Sequence, residues 1–154
     1  MVANPEGETW QVRTDPEAVF TTTGTVQPHP AAAPEDVPSY YDDDCQVQPG
    51  VDQVDPSCVY GVPEGDTTVA MLGDSKMGQW FPAVTAIAAD EDWRVELYLK
   101  SACAFSLEGE DDDCVRFGHN VIQHFEDEGA PDIALVSQGN TDTPELRSGM
   151  EQAI

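Results

Sequence analysis

Basic residues are scarce in this chain: Lys and Arg number 6 against 30 Asp and Glu, for a formal charge of −24. A surface that negative repels nucleic acid and anionic membranes, which argues against both as partners. The same bias suits a salty or acid-tolerant setting. No run of about 18 apolar residues occurs, so no segment has the composition of a membrane span. There is no CxxC pair, and none of the three histidines stands at zinc-finger spacing. A phosphate loop of the GxxxxGK[ST] kind is missing too. Asp42–Asp44 and Asp111–Asp113 lack the alternating spacing of a calcium loop. They read as solvated acidic loops, and neither metal nor cofactor is expected. A phospho-acceptor site would want an aspartate at the end of the third apolar strand, where Ser137 stands.

Four cysteines are present: Cys45, Cys58, Cys103 and Cys114. Three pairings are possible, and the economical one joins neighbours, Cys45–Cys58 and Cys103–Cys114. Each bond would close a short loop, worth about 3 kcal/mol for a loop near 15 residues. Disulfides imply an exported, extracytoplasmic domain. Four buried thiols in a reducing compartment are the alternative; the polar, loop-like flanks favour disulfides.

Residues 1–44 differ from the rest. "VQPHPAAAPEDVPSYYDDDC" is rich in Pro, Ala and Asp and has no helical or strand period. It reads as an extended acidic lead-in, with strand-like pieces such as "TWQVR". Residues 45–154 read as the folded part. There "TTVAMLG", "WRVELYL" and "PDIALVS" are apolar strands, each followed by a helical pattern. In the first helix Met77, Trp80, Phe81, Val84, Ile87 and Ala88 share one face, Ser75 stands where a cap belongs, and Pro82 kinks the helix or moves its start. Trp80, Phe81 and Trp93 therefore read as core rather than as a sugar-stacking platform. In the second helix Phe117, Val121 and Phe125 form the apolar face, Gly129 is the stop, and acidic residues from Glu110 to Asp113 suit the positive end of the dipole. The third helix has Thr143 as cap and Pro144 at its first position. Its apolar positions are Leu146, Met150 and Ala153. Alternating strands and helices predict an α/β fold with a parallel sheet covered on both faces.

The first strand runs into Gly73-Asp74-Ser75. In open parallel sheets, sites form at the carboxyl ends of strands. Gly73 permits a tight turn, and the helix start offers free N–H groups and a positive dipole end. Such donors stabilise an oxyanion, so the position suits a serine nucleophile. Asp and Ser are also ordinary turn and cap residues, and the tripeptide by itself decides little.

More of the chain bears on the question. "CVYGVPEGDTTVAMLGDSKMGQWFPAV", "DWRVELYLKSACAF" and "PDIALVSQ" together resemble the SGNH (GDSL-type) hydrolase family. The resemblance is to the extracytoplasmic SGNH domain that follows an acyltransferase-3 membrane domain in bacterial surface-sugar acyltransferases. It implies a three-layer α/β/α, flavodoxin-like fold, of which only the N-terminal part is expected here. It implies Ser75 as nucleophile, with its backbone N–H in the oxyanion hole and Asp74 shaping the turn. Where the family supplies a glycine N–H after the second strand, this chain reads Lys100-Ser101-Ala102-Cys103. Asn140 stands near the family's third-block asparagine, at a different spacing, and is a candidate oxyanion donor through its side chain.

The family's closing Asp-x-x-His has no counterpart in this sequence. His119 and His124 fall in the second helix and His29 in the lead-in, so the general base and its orienting acid are expected outside the chain. Taken alone, the 154 residues should be inactive. Lys76 reads as an exposed lysine. The implied function is O-acyl transfer, chiefly of acetyl, to or from a cell-surface polysaccharide through a seryl ester. The implied partners are a carbohydrate acceptor and an acyl donor reached through a fused or associated membrane domain, which would tether this one at the membrane. The departures after the second and third strands motivate the alternative: a non-catalytic carbohydrate-binding or scaffold module on the same fold.

Overall fold

The structure is a computed structural model that describes residues 31, 33–139 and 143–153. The chain divides into two compact units, residues 1–36 and 37–154. Of the first, only the stretch around a 3-10 turn at Ala33–Glu35 is described. The strand-like "TWQVR" and His29 lie outside the described residues.

The second unit is built on a four-stranded sheet. Its strands are β1 (Val59–Gly61), β2 (Thr67–Gly73), β3 (Trp93–Leu99) and β4 (Ile133–Ser137), in the order β1-β3-β2-β4. β2 pairs in parallel with β3 and with β4, as their apolar, β-branched sequences predict. β1 runs antiparallel to β3 and makes the sheet mixed. This strand was not expected: three residues inside a turn-rich segment leave no periodic trace.

Among the described residues four α-helices cover the sheet: α1 (Ser75–Gly78), α2 (Phe81–Glu91), α3 (Asp112–Glu128) and α4 (Pro144–Ala153). On one face Met77, Phe81, Val84 and Ala88 pack with Met71, Val95, Leu97, Leu99 and Tyr40. On the other, Phe117 and Val121 of α3 pack with Ala70, Leu72, Tyr98 and Phe105, and Ala153 of α4 joins them. The result is a three-layer α/β/α arrangement. Tyr40 is fully buried, so the packed unit takes in sequence upstream of Cys45.

The cap of the first helix needs correcting: it is Asp74, whose side chain accepts from the Lys76 N–H at 2.8 Å, and Ser75 is the first helical residue. Pro82 moves the helix start as expected: α1 ends at Gly78, and Pro82 stands in the first turn of a new helix, α2. The inward stripe of α2 is therefore Phe81, Val84 and Ala88. Ile87 lies about 100° around the helix from Ala88, beside that stripe, and is 48% exposed. Trp80, at the break between the helices, is 59% exposed and is not core.

The sequence-based reading of α3 and α4 survives with added detail. Asp111 caps α3, accepting from the N–H groups of Asp113 and Cys114. Gly129 ends it in a positive-φ conformation. The Thr143 hydroxyl accepts from the Leu146 N–H at the start of α4.

Two disulfides tie loops to this frame: Cys45–Cys58 and Cys103–Cys114. No cysteine among the described residues is free. No helix among them is long and apolar enough to cross a membrane.

Candidate active site

Three loops meet at the carboxyl edge of the sheet. Gly73 is in register with Leu99 on one side and Ser137 on the other. The segments that follow Gly73, Leu99 and Ser137 therefore leave the sheet at the same edge.

Gly73 makes this convergence possible. Its φ is +138°, which side-chain-bearing residues rarely adopt. A Cβ there would overlap the Ser137 carbonyl oxygen. Its own carbonyl accepts from the Lys100 N–H at 2.9 Å, which brings the loop after β3 alongside.

Asp74 joins the first loop to the third. One carboxylate oxygen caps α1 through Lys76, and the other accepts from the Gly139 N–H at 2.7 Å. The side chain is buried, so both bonds form away from bulk water and hold firmly. Nothing in the sequence joined residues 74 and 139; the parallel register does. Asn140 lies outside the described residues.

Ser75 is exposed at the first position of α1. Its hydroxyl has no hydrogen-bond partner among the described residues, and its N–H is one of the orphan donors of the helix start. Lys76 is exposed beside it.

The loop after β3 is a tight turn, closed by the Cys103 N–H on the Lys100 carbonyl at 3.2 Å. Ala102 occupies its third position with φ +58°, where glycine is favoured. Its N–H takes no acceptor among the described residues. The strained angle is a signal that the sequence hid: alanine stands where the motif leads one to look for glycine. A cleft of about 290 Å³ opens beside Ala102, between this loop and the starts of α3 and α4.

Lys100 fixes the turn from below. Its side chain is fully buried, and Nζ meets Asp113 Oδ2 at 2.9 Å and the Gln48 carbonyl at 3.0 Å, with the Val51 carbonyl as third acceptor. Asp113 also accepts from the Gly50 N–H at 2.8 Å. That bond first, and Lys100 second, hold the Asp113 carboxyl below the ordinary carboxylate range. The Cys103–Cys114 disulfide bridges the same two segments. A lysine at the end of a strand gives no sequence-level hint of such a clamp.

The two described histidines belong to α3, on the opposite face of the sheet from α1 and α2. His119 is exposed, and His124 lies half-buried with its ring 5.8 Å from that of Tyr98. Neither hydrogen-bonds to Ser75.

Ser75 is thus an exposed hydroxyl at a helix start, in a turn that the buried Asp74 ties to Gly139. Comparison with known proteins agrees with the fold. Residues 44–146 match the family described as SGNH domain (fused to AT3 domains). No curated protein and no solved structure matches the chain. The match takes in the three sheet-edge loops and the strands that carry them, and on it the chain belongs to the SGNH domain family, in the branch fused to AT3 domains.

Proposed function

We propose that this domain moves an acyl group, chiefly acetyl, to or from a hydroxyl of a cell-surface carbohydrate, with Ser75 as nucleophile. The observation that carries the reading is the exposed Ser75 hydroxyl at a helix start, in the turn that the buried Asp74 ties to Gly139. In the first half-reaction Ser75 Oγ bonds to the acyl carbonyl carbon. Its proton passes to a general base, and negative charge gathers on the carbonyl oxygen. The N–H groups of Ser75 and Ala102 stabilise that charge, with Asn140 as a further donor. The carbon–oxygen bond to the leaving group breaks, the proton goes to the departing oxygen, and a seryl ester remains. A sugar hydroxyl then repeats the sequence in the other direction and regenerates the serine. Water in its place gives hydrolysis.

His119 and His124 are not assigned as the base, because α3 packs on the opposite face of the sheet from α1 and α2. We assign residues 1–36 to an acidic linker and residues 37–154, which take in the buried Tyr40, to the part of the domain that carries the nucleophile. The two disulfides and the family support an extracytoplasmic setting, with the acyl donor arriving through an associated AT3 domain.

Acetyl-ester turnover by the protein carrying this domain tests the assignment. Ser75→Ala should lower kcat by about a thousandfold or more, with the fold unchanged by circular dichroism. Turnover that survives the substitution contradicts it and favours a binding or scaffold role.

A further inference from the structure

Of the two lysines in the chain, Lys76 is exposed and Lys100 is fully buried. The chemistry proposed above uses neither. Taking an ammonium out of water is costly, and apolar side chains of similar volume often leave a fold as stable. A buried lysine therefore needs a reason beyond stability. An ammonium has three donors. One meets Asp113 Oδ2 at 2.9 Å, one meets the Gln48 carbonyl at 3.0 Å, and the third meets the Val51 carbonyl. All three are taken, so the side chain holds rather than reacts. Its acceptors come from two segments, the loop before β1 and the first turn of α3.

The backbone of Lys100 is tied to the turn that carries Ser75. Its N–H donates to the Gly73 carbonyl at 2.9 Å, and its own carbonyl accepts from the Cys103 N–H at 3.2 Å. Gly73 directly precedes Asp74-Ser75 and has no side chain to resist rotation of the peptide unit that follows. The Lys100 N–H fixes where that unit points. Beyond it, the Asp74 carbonyl accepts from the N–H groups of Met77 and Gly78, and the Ser75 carbonyl accepts from Gln79. A rotation at Gly73 is thus passed into α1 and moves Ser75 with it. Contacts run without a break from Asp113 and the 48–51 loop, through Lys100, to the serine turn. A displacement of about 1 Å at a reacting atom can cost on the order of a hundredfold in rate.

We infer that Lys100 is a positioning residue for Ser75: its buried ammonium anchors the strand end whose N–H aims the Gly73–Asp74 peptide. The inference rests on the Ser75 reading for its catalytic meaning, but the positioning has a readout of its own. Lys100→Met and the milder Asp113→Asn are compared with Val121→Ala, which opens the α3 core at a residue outside this chain of contacts. Acetyl-ester kinetics on the protein carrying this domain are run below the lowest melting temperature of the set. Lys100→Met loses about tenfold or more in kcat and Asp113→Asn about threefold or more, with KM within about twofold of wild type. Val121→Ala keeps the wild-type kcat although its melting temperature falls. Amide hydrogen exchange, read by mass spectrometry, follows the geometry without the chemistry. Residues 72–79 exchange about threefold or more faster in Asp113→Asn and stay near wild type in Val121→Ala. If Lys100→Met does not fold, Asp113→Asn decides by both measurements. The inference is overturned if folded Asp113→Asn keeps the wild-type kcat, or if its loss appears only in KM. It is also overturned if Val121→Ala loses as much kcat, or if residues 72–79 exchange in Asp113→Asn as in wild type. Failure of the Ser75 reading shows instead as turnover that survives Ser75→Ala, and the exchange result then decides the positioning by itself.

Discussion

Ser75 and Asp74 divide one turn between them. The serine is left open, and the aspartate does the holding. Asp74→Ala removes a helix cap and the bond to Gly139, at a cost of about 2 kcal/mol in unfolding free energy. Asp74→Asn keeps one acceptor oxygen and should cost less. Gly73→Ala fails for a different reason: it forces a side chain into a positive-φ position against the Ser137 carbonyl. The expected loss is about 2–4 kcal/mol. Chemical denaturation of the three variants checks the ordering, and a neutral Gly73→Ala would contradict the close approach of β2 and β4. The Gly-Asp-Ser turn was legible because glycine, aspartate and serine each have strong local preferences. Which of the last two caps the helix was not, since both are good caps and only the register with Gly139 decides. Trp80 was misplaced for a related reason. Its spacing fits a continuous helix, and the break at Gly78–Trp80 shifts it off the buried stripe.

Among the elements, α3 depends on a contact that sequence could not show. Lys100 just past β3, Asp113 in the first turn of α3, and the carbonyls of Gln48 and Val51 form one clamp around a buried ammonium. Asp113→Asn leaves the ammonium without its counter-charge and should lower the melting temperature by several degrees. The sign of the pH dependence follows from the carboxyl being held low in the folded state. Its contribution is fully present above the unfolded carboxylate value of about 3.9 and is lost as pH falls through the lower folded value. The gap in stability between wild type and Asp113→Asn should therefore be wide at neutral pH and close in strong acid. A gap that stays constant from neutral pH into strong acid would show that the clamp is not ionic. β2 and β3 were legible to the residue, because runs of buried β-branched and aliphatic side chains bounded by turns have few other readings. β1 was not, since pairing to β3, rather than its own three residues, makes it a strand.

For the molecule as a whole, a large negative charge works against compactness, and covalent ties offset it. The bonds close loops with sequence separations of 13 and 11 residues. Each is worth on the order of 3 kcal/mol by loop entropy. Reduction should accordingly move the urea midpoint down sharply, and the Cys103→Ser/Cys114→Ser pair should account for about half of the shift. That pair also loosens the turn around Ala102, so turnover should fall more than stability alone explains. An unchanged midpoint on reduction would contradict the export reading. The layered α/β/α plan was legible because strand and helix periods alternate along the chain. The meeting of three loops at one edge was legible only in outline, as a general property of parallel sheets.

The account stands on the Ser75 oxygen as the atom that carries the acyl group. The most direct test mixes the protein carrying this domain with p-nitrophenyl acetate, quenches it in acid, and maps the peptides by mass spectrometry. One acetyl group on Ser75, absent from Ser75→Ala, is the predicted result. Acetyl found only on Lys76 or elsewhere, in the same amount in both proteins, would contradict it.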